Sequence, residues 1–252
     1  MAQNNTNQLS ALIITLNEEN NIRELIDNLQ FADEIIVVDS YSTDKTLAIL
    51  SELTHVKVFK NHFKDFASQR NFALSKAKYN WVLFIDADER ITNNLKNEII
   101  HTLKNPVHKG YFLKRKFFYQ DKAIRFSGLQ SDKNLRLFLK EGASYQGIVH
   151  EKLNLNSNLG TLNNHLLHYS YSQHEHFRSK IIYYNELKAY DKIQRGTRYF
   201  SLMHILHPIY TFAYRYIFRL GFLDGKPGYI LCKTYAEGIN ARYNQMKILS
   251  KS

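Results

Sequence analysis

Trp81-Val82-Leu83-Phe84-Ile85-Asp86-Ala87-Asp88-Glu89-Arg90 is the stretch of sequence that decides the fold. Its first five residues are apolar and include β-branched and aromatic members, a pattern typical of a strand buried on both faces. Two aspartates one residue apart, Asp86 and Asp88, follow this strand directly. Because ligands of open α/β sheets bind beyond the carboxyl ends of the strands, these carboxylates could converge there on one hard cation.

Three further strands precede this stretch. Apolar runs predict strands at residues 9–16, 34–38 and 56–59, ahead of the one at 81–85. Apolar residues at helical spacing predict helices between these strands and another at 91–103. This alternation predicts an α/β domain with a mainly parallel, Rossmann-like sheet flanked by helices.

Polar residues follow two of the other strands. Asn17-Glu18-Glu19 ends the first strand and Asp39 ends the second. Each could simply cap a helix, but several acidic strand ends on one sheet edge indicate a cation or a donor between them, because like charges repel. Arg70, before the fourth strand, could reach a phosphate or a base, or could equally lie in solvent.

Several classes of site are excluded by composition. No glycine occurs before Gly110, so neither a Walker loop nor a glycine-rich dinucleotide turn can form after the first strand. A nucleotide would have to be held by carboxylates, a metal and basic side chains. The single cysteine, Cys232, excludes internal disulfides and thiolate metal sites.

Charge divides the chain unevenly. Residues 1–100 hold 10 Lys/Arg and 14 Asp/Glu, whereas residues 101–252 hold 24 Lys/Arg and 9 Asp/Glu. In the basic part Tyr and Phe are interleaved with the cations, which favours an anionic partner over a role in solubility alone. A phospholipid surface, nucleic acid or a phosphorylated acceptor would each satisfy this pattern.

Histidines and one glutamate supply the other candidate chemistry. Glu151 could act as a general base, with His150 assisting it or binding a metal. The remaining histidines, among them His165 and His168, match no tight zinc spacing and are interpreted as structural.

The C-terminal region is predicted to be helical. Leu202 to Leu220 carries an apolar stripe at three- and four-residue spacing, with Arg215 and Arg219 off the stripe. Such a helix could lie in a membrane interface or pack on the catalytic domain or a second subunit, and its large aromatic residues favour the membrane. We expect no secretory signal, because residues 1–10 lack a basic start and an apolar core. We expect no spanning helix, since no run of 18 apolar residues occurs.

Four segments of the N-terminal half together resemble the family 2 glycosyltransferases of the GT-A fold. These segments are residues 12–20, 36–44, 67–71 and 84–89. Residues 147–151 and 223–228 resemble more particularly the lipopolysaccharide inner-core β-1,4-glucosyltransferases. The resemblance covers nearly the whole chain. The Gln-x-x-Arg-Trp pattern of many members has no counterpart, since Gln130 and Arg136 stand at another spacing and no tryptophan follows.

The resemblance implies a set of residue roles. Asp88 with Asp86 would hold Mn²⁺ or Mg²⁺ on the diphosphate of a nucleotide sugar, and Asp86 would also contact that donor. The family's base is matched to Glu151. The nucleoside would be bound by Asn17, Glu19 and Asp39, with Arg70 assisting.

The resemblance also implies an activity and a setting. An inverting, metal-dependent hexosyltransferase would move a hexose, with UDP-glucose as the expected donor, to an anionic, lipid-linked saccharide of lipopolysaccharide core or a related cell-surface glycan. Residues 1–105 would form the nucleotide-sugar half of one GT-A domain and residues 106–172 its acceptor half. Residues 173–252 would be a helical extension contacting the membrane surface or a subunit of a homo-oligomer, on the cytoplasmic face of the inner membrane.

Two other functions are alternatives to this one. A sugar-phosphate nucleotidyltransferase would carry a glycine- and lysine- or arginine-rich phosphate loop where residues 17–20 stand. A non-enzymatic basic RNA- or membrane-binding protein would give the acidic sheet edge no role. We therefore expect no nucleic acid partner.

Overall fold

The structure is a computed structural model of the chain. It describes residues 7–120, 122–129, 132–147, 152–155, 157–171 and 174–250. The chain divides into two compact units, one of residues 1–115 and 133–168 and the other of residues 116–132 and 169–252.

The first hundred residues alternate strands and helices, as the sequence predicts. In chain order the elements are β1 (Leu9–Thr15), α1 (Ile22–Asn28), β2 (Glu34–Asp39), α2 (Thr46–Ser51), β3 (Val56–Lys60), α3 (Phe66–Lys76), β4 (Trp81–Phe84), β5 (Glu89–Ile91) and α4 (Asn93–Lys104). The prediction of these strands and helices is confirmed, with ends that differ by a few residues. β5, only three residues long, was not predicted.

Six further strands follow among the residues that the structure describes. They are β6 (Gly110–Tyr119), β7 (Lys122–Ile124), β8 (Lys133–Leu139), β9 (Ser144–Gln146), β10 (Lys152–Asn154) and β11 (Leu159–Tyr171). The main sheet has the order β3-β2-β1-β4-β8-β6-β11-β5, and β9 pairs with β10 separately. Strands β3, β2, β1 and β4 run parallel, whereas β8 is antiparallel to β4 and β6, and β5 is antiparallel to β11. The predicted α/β sheet is therefore confirmed, with antiparallel strands added beyond β4.

The register of the parallel strands places their carboxyl ends at one edge. Thr15 pairs with Asp39, and Leu12 pairs with Phe84. The amide of Ile85 then donates a 3.1 Å hydrogen bond to the carbonyl of Leu12. Asp39, the loop after β1 and the turn after β4 consequently leave the sheet at the same edge, where ligands of such sheets bind.

Helices cover both faces of the central strands. On one face, Leu12 and Phe84 pack in a cluster with Leu74 of α3. On the other face, Ile13 packs in a cluster with Leu25 of α1. Successive strand residues point to opposite faces, so burial on both sides requires the nearly continuous apolar runs seen in the sequence.

The second unit is mainly helical. It contains α5 (His174–Gln194), α6 (Ser201–Ala213) and α7 (Gly225–Leu249), with a π-helical turn at Tyr214–Phe218 and a 3-10 turn at Gly221–Asp224. β7 pairs in this unit with the last residues of β6. Its buried cluster is formed by Phe117, Tyr119, Ile124, Phe177 and Leu231.

The apolar stripe from Leu202 to Leu220 does not form one continuous α-helix. The α-helix ends at Ala213 and gives way to the π-helical turn, after which Leu220 takes a left-handed φ of 56°. A side chain at Gly221 would place its Cβ 2.8 Å from the carbonyl oxygen of Arg215. The chain can fold back here because residue 221 is glycine. Over the described ranges, the structure contains no helix whose length and apolar character would allow it to cross a membrane.

Asp224 fixes the start of α7. Its carboxylate accepts hydrogen bonds from the amides of Arg125 at 2.9 Å and Phe126 at 3.0 Å, and from the hydroxyl of Ser127 at 3.1 Å. Residues 223–228, one of the segments on which the resemblance rests, therefore join two parts of the second unit through a carboxylate.

We predict that Leu12→Ala lowers the free energy of unfolding by about 2–5 kcal/mol, because it removes a fully buried side chain from the sheet core. Leu16→Ala, four residues on, is the matched control. Leu16 is 52% exposed, so its truncation should change stability by about 0.5 kcal/mol or less. Urea unfolding of both variants measures the difference, and equal losses would contradict the assignment of the core.

Candidate active site

The loops after β1 and β2 are joined by side-chain hydrogen bonds to the backbone. Asn17, in a left-handed conformation with φ 57°, accepts a 2.8 Å bond at Oδ1 from the amide of Thr43. Glu19 accepts a 2.9 Å bond at Oε2 from the amide of Lys45. Asparagine tolerates the left-handed region better than most residues, which suits it to this turn. Asn17 and Glu19 thus set the shape of a two-loop cradle at the carboxyl edge of the sheet.

Asp39 forms the floor of this cradle. It is fully buried, and it accepts bonds from the amide of Ser42 at 2.8 Å and from the Ser42 hydroxyl at 2.5 Å. Tyr41, between them, has a φ of 65° and stacks on His62 with ring centroids 4.0 Å apart. A carboxylate oxygen can accept more than one hydrogen bond, so Asp39 keeps capacity for a ligand hydroxyl or N–H.

A network of buried charges surrounds Asp86. Arg70 donates from Nη2 to Oδ1 of Asp86 at 2.8 Å, and Arg136 donates to Oδ2 of the same carboxylate. Arg136 also donates to Glu89 Oε1 at 2.8 Å, and the amide of Asp86 donates to Glu89 Oε2 at 3.0 Å. Arg115 Nη1 lies 3.4 Å from the same Oε1 of Glu89. Both oxygens of Asp86 are therefore bound by guanidinium groups.

The network keeps Asp86 and Arg136 charged. Burial alone would raise the pKa of the Asp86 carboxyl, but the guanidiniums of Arg136 and Arg70 hold that pKa well below its ordinary value. Burial would likewise lower the pKa of Arg136, and the carboxylates of Asp86 and Glu89 raise it well above its ordinary value. Buried charges are tolerated when each has a close partner of opposite sign, as here.

Arg90 fixes the turn that carries Asp86 and Asp88. Its Nη1 donates to the carbonyls of Ala87 and Glu89, both at 2.8 Å. Its Nη2 donates at 3.0 Å to the carboxylate of Glu24 on α1. The turn after β4 is thus held to the helix that follows β1, which makes the carboxyl edge one connected structure.

Asp88 and His168 form the candidate cation site. Antiparallel pairing of β11 with β5 sets His168 opposite Glu89, and His168 Nε2 lies 3.4 Å from Asp88 Oδ2. The side chain of Asp88 is 23% exposed and that of His168 is 15% exposed, so a ligand can reach both. A carboxylate oxygen and an imidazole nitrogen both serve as ligands of divalent transition metals such as Mn²⁺.

The described residues fit a cation that shares its ligands with a substrate. Among them, no group of three His, Cys, Asp or Glu side chains is arranged to hold a metal by itself. Asp88 and His168 would supply two ligands, and diphosphate oxygens and water would supply the rest, as is usual for Mg²⁺ and related ions on nucleotides. Since Asp86 is engaged by two arginines, the geometry favours Asp88 as the direct ligand.

The structure brings most of the predicted site residues to one edge of the sheet. Asn17, Glu19 and Asp39 lie in the cradle, and Arg70 is bonded to Asp86 rather than lying in solvent. His150 and Glu151 lie outside the described residues, so the roles assigned to them stay predictions.

Three contributors were missed by sequence reasoning. His168 was interpreted as structural, yet it faces Asp88. Arg136 was not selected, because 50 residues separate it from Asp86 and no spacing rule connects them. Glu89 stands next to the aspartate pair, so its place in the motif was the only available signal.

The chain was also compared with known proteins. Residues 10–157 match the family described as Glycosyl transferase family 2. An "Uncharacterized glycosyltransferase" of Rickettsia bellii (strain RML369-C) is 29% identical over 259 residues, covering 97% of this chain and 88% of the relative. A "Lipopolysaccharide core biosynthesis glycosyltransferase LpsC" of Rhizobium meliloti (strain 1021) is 29% identical over 238 residues, covering 90% and 87%. The crystal structure of S. aureus TarS 1-349 has a TM-score of 0.49 and 16% identity, covering 97% of this chain and 91% of that chain.

We predict that Arg136→Met lowers the free energy of unfolding by about 3–5 kcal/mol near neutral pH, because it leaves the buried carboxylate of Glu89 and the half-buried carboxylate of Asp86 with fewer cations. The depressed pKa of Asp86 contributes stability above the unfolded pKa, and this contribution is lost as the pH falls through the folded value. In the variant that pKa is no longer held down by Arg136, and Asp86 can take up a proton on acidification. The deficit relative to the native chain should therefore shrink from about pH 7 to about pH 3, a range that extends below the ordinary carboxyl pKa of about 4.

Urea unfolding at the two pH values measures this effect. Arg23→Met is the control, because Arg23 pairs with Glu52 at the surface, where both side chains are exposed. Its cost should stay within about 1 kcal/mol at either pH. Equal losses for the two variants would show that the buried network does not stabilise the fold.

Proposed function

The chain belongs to glycosyl transferase family 2, and on this basis we propose that it transfers a hexose from a nucleotide diphosphate sugar to a saccharide acceptor with inversion at the anomeric carbon. Glucose is the sugar to test first, with UDP-glucose as donor. Family membership sets aside the nucleotidyltransferase and the non-enzymatic alternatives considered above.

The observation that carries the proposal is the placement of Asp88 and His168 beside the cradle of the first two loops. A donor bound across the carboxyl edge would put its nucleoside in the cradle and its diphosphate near the Asp88–His168 pair. Mn²⁺ or Mg²⁺ held there would neutralise the charge that develops on the departing diphosphate. The other two roles, orientation of the donor and removal of the acceptor's proton, would be carried out by side chains of this chain.

The cradle residues would orient the donor. Asp39 would accept a hydrogen bond from the base or the ribose, since its buried carboxylate retains acceptor capacity. Asn17 and Glu19 would act by holding the two loops in position. Arg70 would act through Asp86, to which it donates, rather than by contacting a phosphate.

The transfer step would require a base in the acceptor half. Glu151 would take the proton from an acceptor hydroxyl, whose oxygen attacks the anomeric carbon on the face opposite the diphosphate. The bond from that carbon to the diphosphate oxygen breaks as the new glycosidic bond forms. The nucleoside diphosphate leaves with the electron pair, and the configuration inverts.

The acceptor would be an anionic saccharide of lipopolysaccharide core or a related cell-surface glycan. The relative named for lipopolysaccharide core biosynthesis supports this class. So does the excess of 24 Lys/Arg over 9 Asp/Glu in residues 101–252, because a basic region attracts phosphorylated or acidic sugars.

We predict that UDP-glucose with Mn²⁺ raises the melting temperature of the native chain, and that Asp88→Asn removes most of this shift. A ligand that binds only the folded state stabilises it by mass action. Asp27→Asn, an exposed carboxylate on α1, is the matched control and should keep the full shift.

Thermal-shift assays across nucleotide sugars, each with Mn²⁺ and with chelator, make this measurement. Titration of free Mn²⁺ by its paramagnetic resonance signal in the presence of UDP gives a readout independent of turnover. A full shift and unchanged Mn²⁺ binding in Asp88→Asn would refute the role of Asp88. The absence of a shift with every nucleotide sugar would refute the proposed donor class.

Glu151→Gln is expected to lower kcat by about 10²–10⁴-fold, because the amide cannot accept the acceptor's proton. Donor binding should persist, so the thermal shift with UDP-glucose and Mn²⁺ should be retained. Release of UDP in the presence of a core-saccharide acceptor measures kcat. Glu141→Gln, at an exposed position, is the control, and a Glu151→Gln enzyme with normal kcat would remove Glu151 as the base.

A further inference from the structure

Helix α6 is amphipathic with its apolar side turned to solvent. None of its residues is buried, and its apolar stripe of Leu202, Ile205, Leu206, Ile209 and Tyr210 is exposed, with Ile205 at 62%. We call these five residues the α6 apolar face. Helices of water-soluble proteins normally turn such a stripe toward the core.

The opposite side of α6, which carries histidines, is the one that packs within the second unit. His204 hydrogen bonds through Nε2 with Asn240 Oδ1 at 2.9 Å, and His207 through Nδ1 with the Tyr243 hydroxyl at 3.1 Å. Both partners belong to α7. The polar side of α6 is therefore bound to α7, and these hydrogen bonds leave the α6 apolar face turned to solvent.

The exposed apolar surface continues past the end of the helix. Tyr210 stacks with Tyr214 at 5.7 Å between centroids, and Tyr214 with Phe218 at 6.5 Å. Phe218 is 73% exposed, and Phe222 and Leu223 are exposed as well. Tyrosine and phenylalanine side chains of this kind are enriched where a protein meets the boundary between lipid headgroups and acyl chains.

The segment of the chain that carries this surface has charged residues of one sign. Between Asp191 and Asp224 the chain has five Lys or Arg residues and no acidic residue. Among the five, Arg198 is exposed and lies three residues before α6 begins at Ser201. Basic side chains next to an exposed apolar face match a bilayer that contains anionic phospholipid, which offers acyl chains and negative headgroups together.

A second copy of the chain fits this surface less well. A symmetric dimer would bring the same patch of each subunit together, and with it two sets of like charges. The 13 residues of α6 span about 20 Å at about 1.5 Å per residue, short of the roughly 30 Å hydrocarbon core. The helix is thus suited to lie along a bilayer surface.

We propose that the α6 apolar face and the turn at residues 214–223 insert into the headgroup–acyl boundary of a bilayer containing anionic phospholipid. This interaction holds the chain on a membrane surface through a helix that lies along the bilayer. It does not rest on the proposed transferase reaction, since lipid binding and sugar transfer are measured separately.

Co-sedimentation of the full chain with vesicles tests the proposal. The native chain should bind vesicles of phosphatidylcholine and phosphatidylglycerol at least about fivefold more tightly than vesicles of phosphatidylcholine alone, and the preference should weaken in high salt. The double variant Ile205→Ser/Ile209→Ser should bind the anionic vesicles at least about tenfold more weakly. Val107→Ser, at an apolar residue 83% exposed in the first unit, is the matched control and should bind as the native chain does.

A fluorescent reporter identifies the inserting segment directly. The chain has a single tryptophan, Trp81, which is buried and supplies a constant background. In a Phe218→Trp variant the added emission should shift to the blue with anionic vesicles and be quenched by brominated acyl chains. Circular dichroism melting confirms that each variant is folded.

Two results would overturn the proposal. One is undiminished binding of the Ile205→Ser/Ile209→Ser variant to anionic vesicles, together with no blue shift in Phe218→Trp. The other is a native chain that does not bind vesicles but sediments as a dimer in solution, while the double variant is monomeric. That second outcome would assign the α6 apolar face to subunit contact.

Discussion

Two guanidinium groups on one carboxylate hold the candidate active site together. Parallel strands bring Asp39, Asp86 and Asp88 to a single sheet edge, and Glu89 is the next residue after Asp88. Carboxylates brought together in a low-dielectric region repel one another and favour protonation. Arg70 from α3 and Arg136 from β8 offset that repulsion by pairing with Asp86, and Arg136 also pairs with Glu89. The two guanidinium groups hold the pKa of the Asp86 carboxyl well below its ordinary value, so this carboxyl stays charged.

This arrangement separates two aspartates that look equivalent in the sequence. Asp86 is bound on both oxygens and serves as the junction between α3, β4 and β8. Asp88 points instead toward His168 and remains partly exposed. A rigid, charged junction beside an accessible carboxylate–imidazole pair is what a site for a diphosphate and a cation requires, because preorganised ligands need little rearrangement when the substrate binds.

The second unit is stabilised mainly by apolar packing and by hydrogen bonds to single side chains. Its buried cluster and the carboxylate of Asp224 fix α5, α7 and the neighbouring turns. Helix α6 is attached through its histidines, which leaves its apolar side uncovered. An exposed apolar face is costly in water, so its persistence in a helix held by specific hydrogen bonds is best explained by a partner that covers it.

Much of the first hundred residues was predictable because their structure depends on local patterns. Apolar runs marked β1 to β4, their alternation with helices predicted a mainly parallel sheet, and strand ends marked Asp39, Asp86 and Asp88. β5 was too short to be predicted as a strand. The continuous stripe to Leu220 concealed the fold-back at Gly221, which depends on a close approach to the carbonyl of Arg215. The family motifs identified the reaction class, as the match over residues 10–157 confirms.

The sequence by itself thus determined the α/β alternation, the family and the acidic edge of the sheet. Only the tertiary structure decided that Asp86 is bound by arginines whereas Asp88 is accessible beside His168. Arg136 and His168 reach the site from β8 and β11 through strand pairing. The tertiary structure also decided which side of α6 faces outward. Strand pairing and helix packing join residues far apart in the chain, and no periodicity within a short window records those partners.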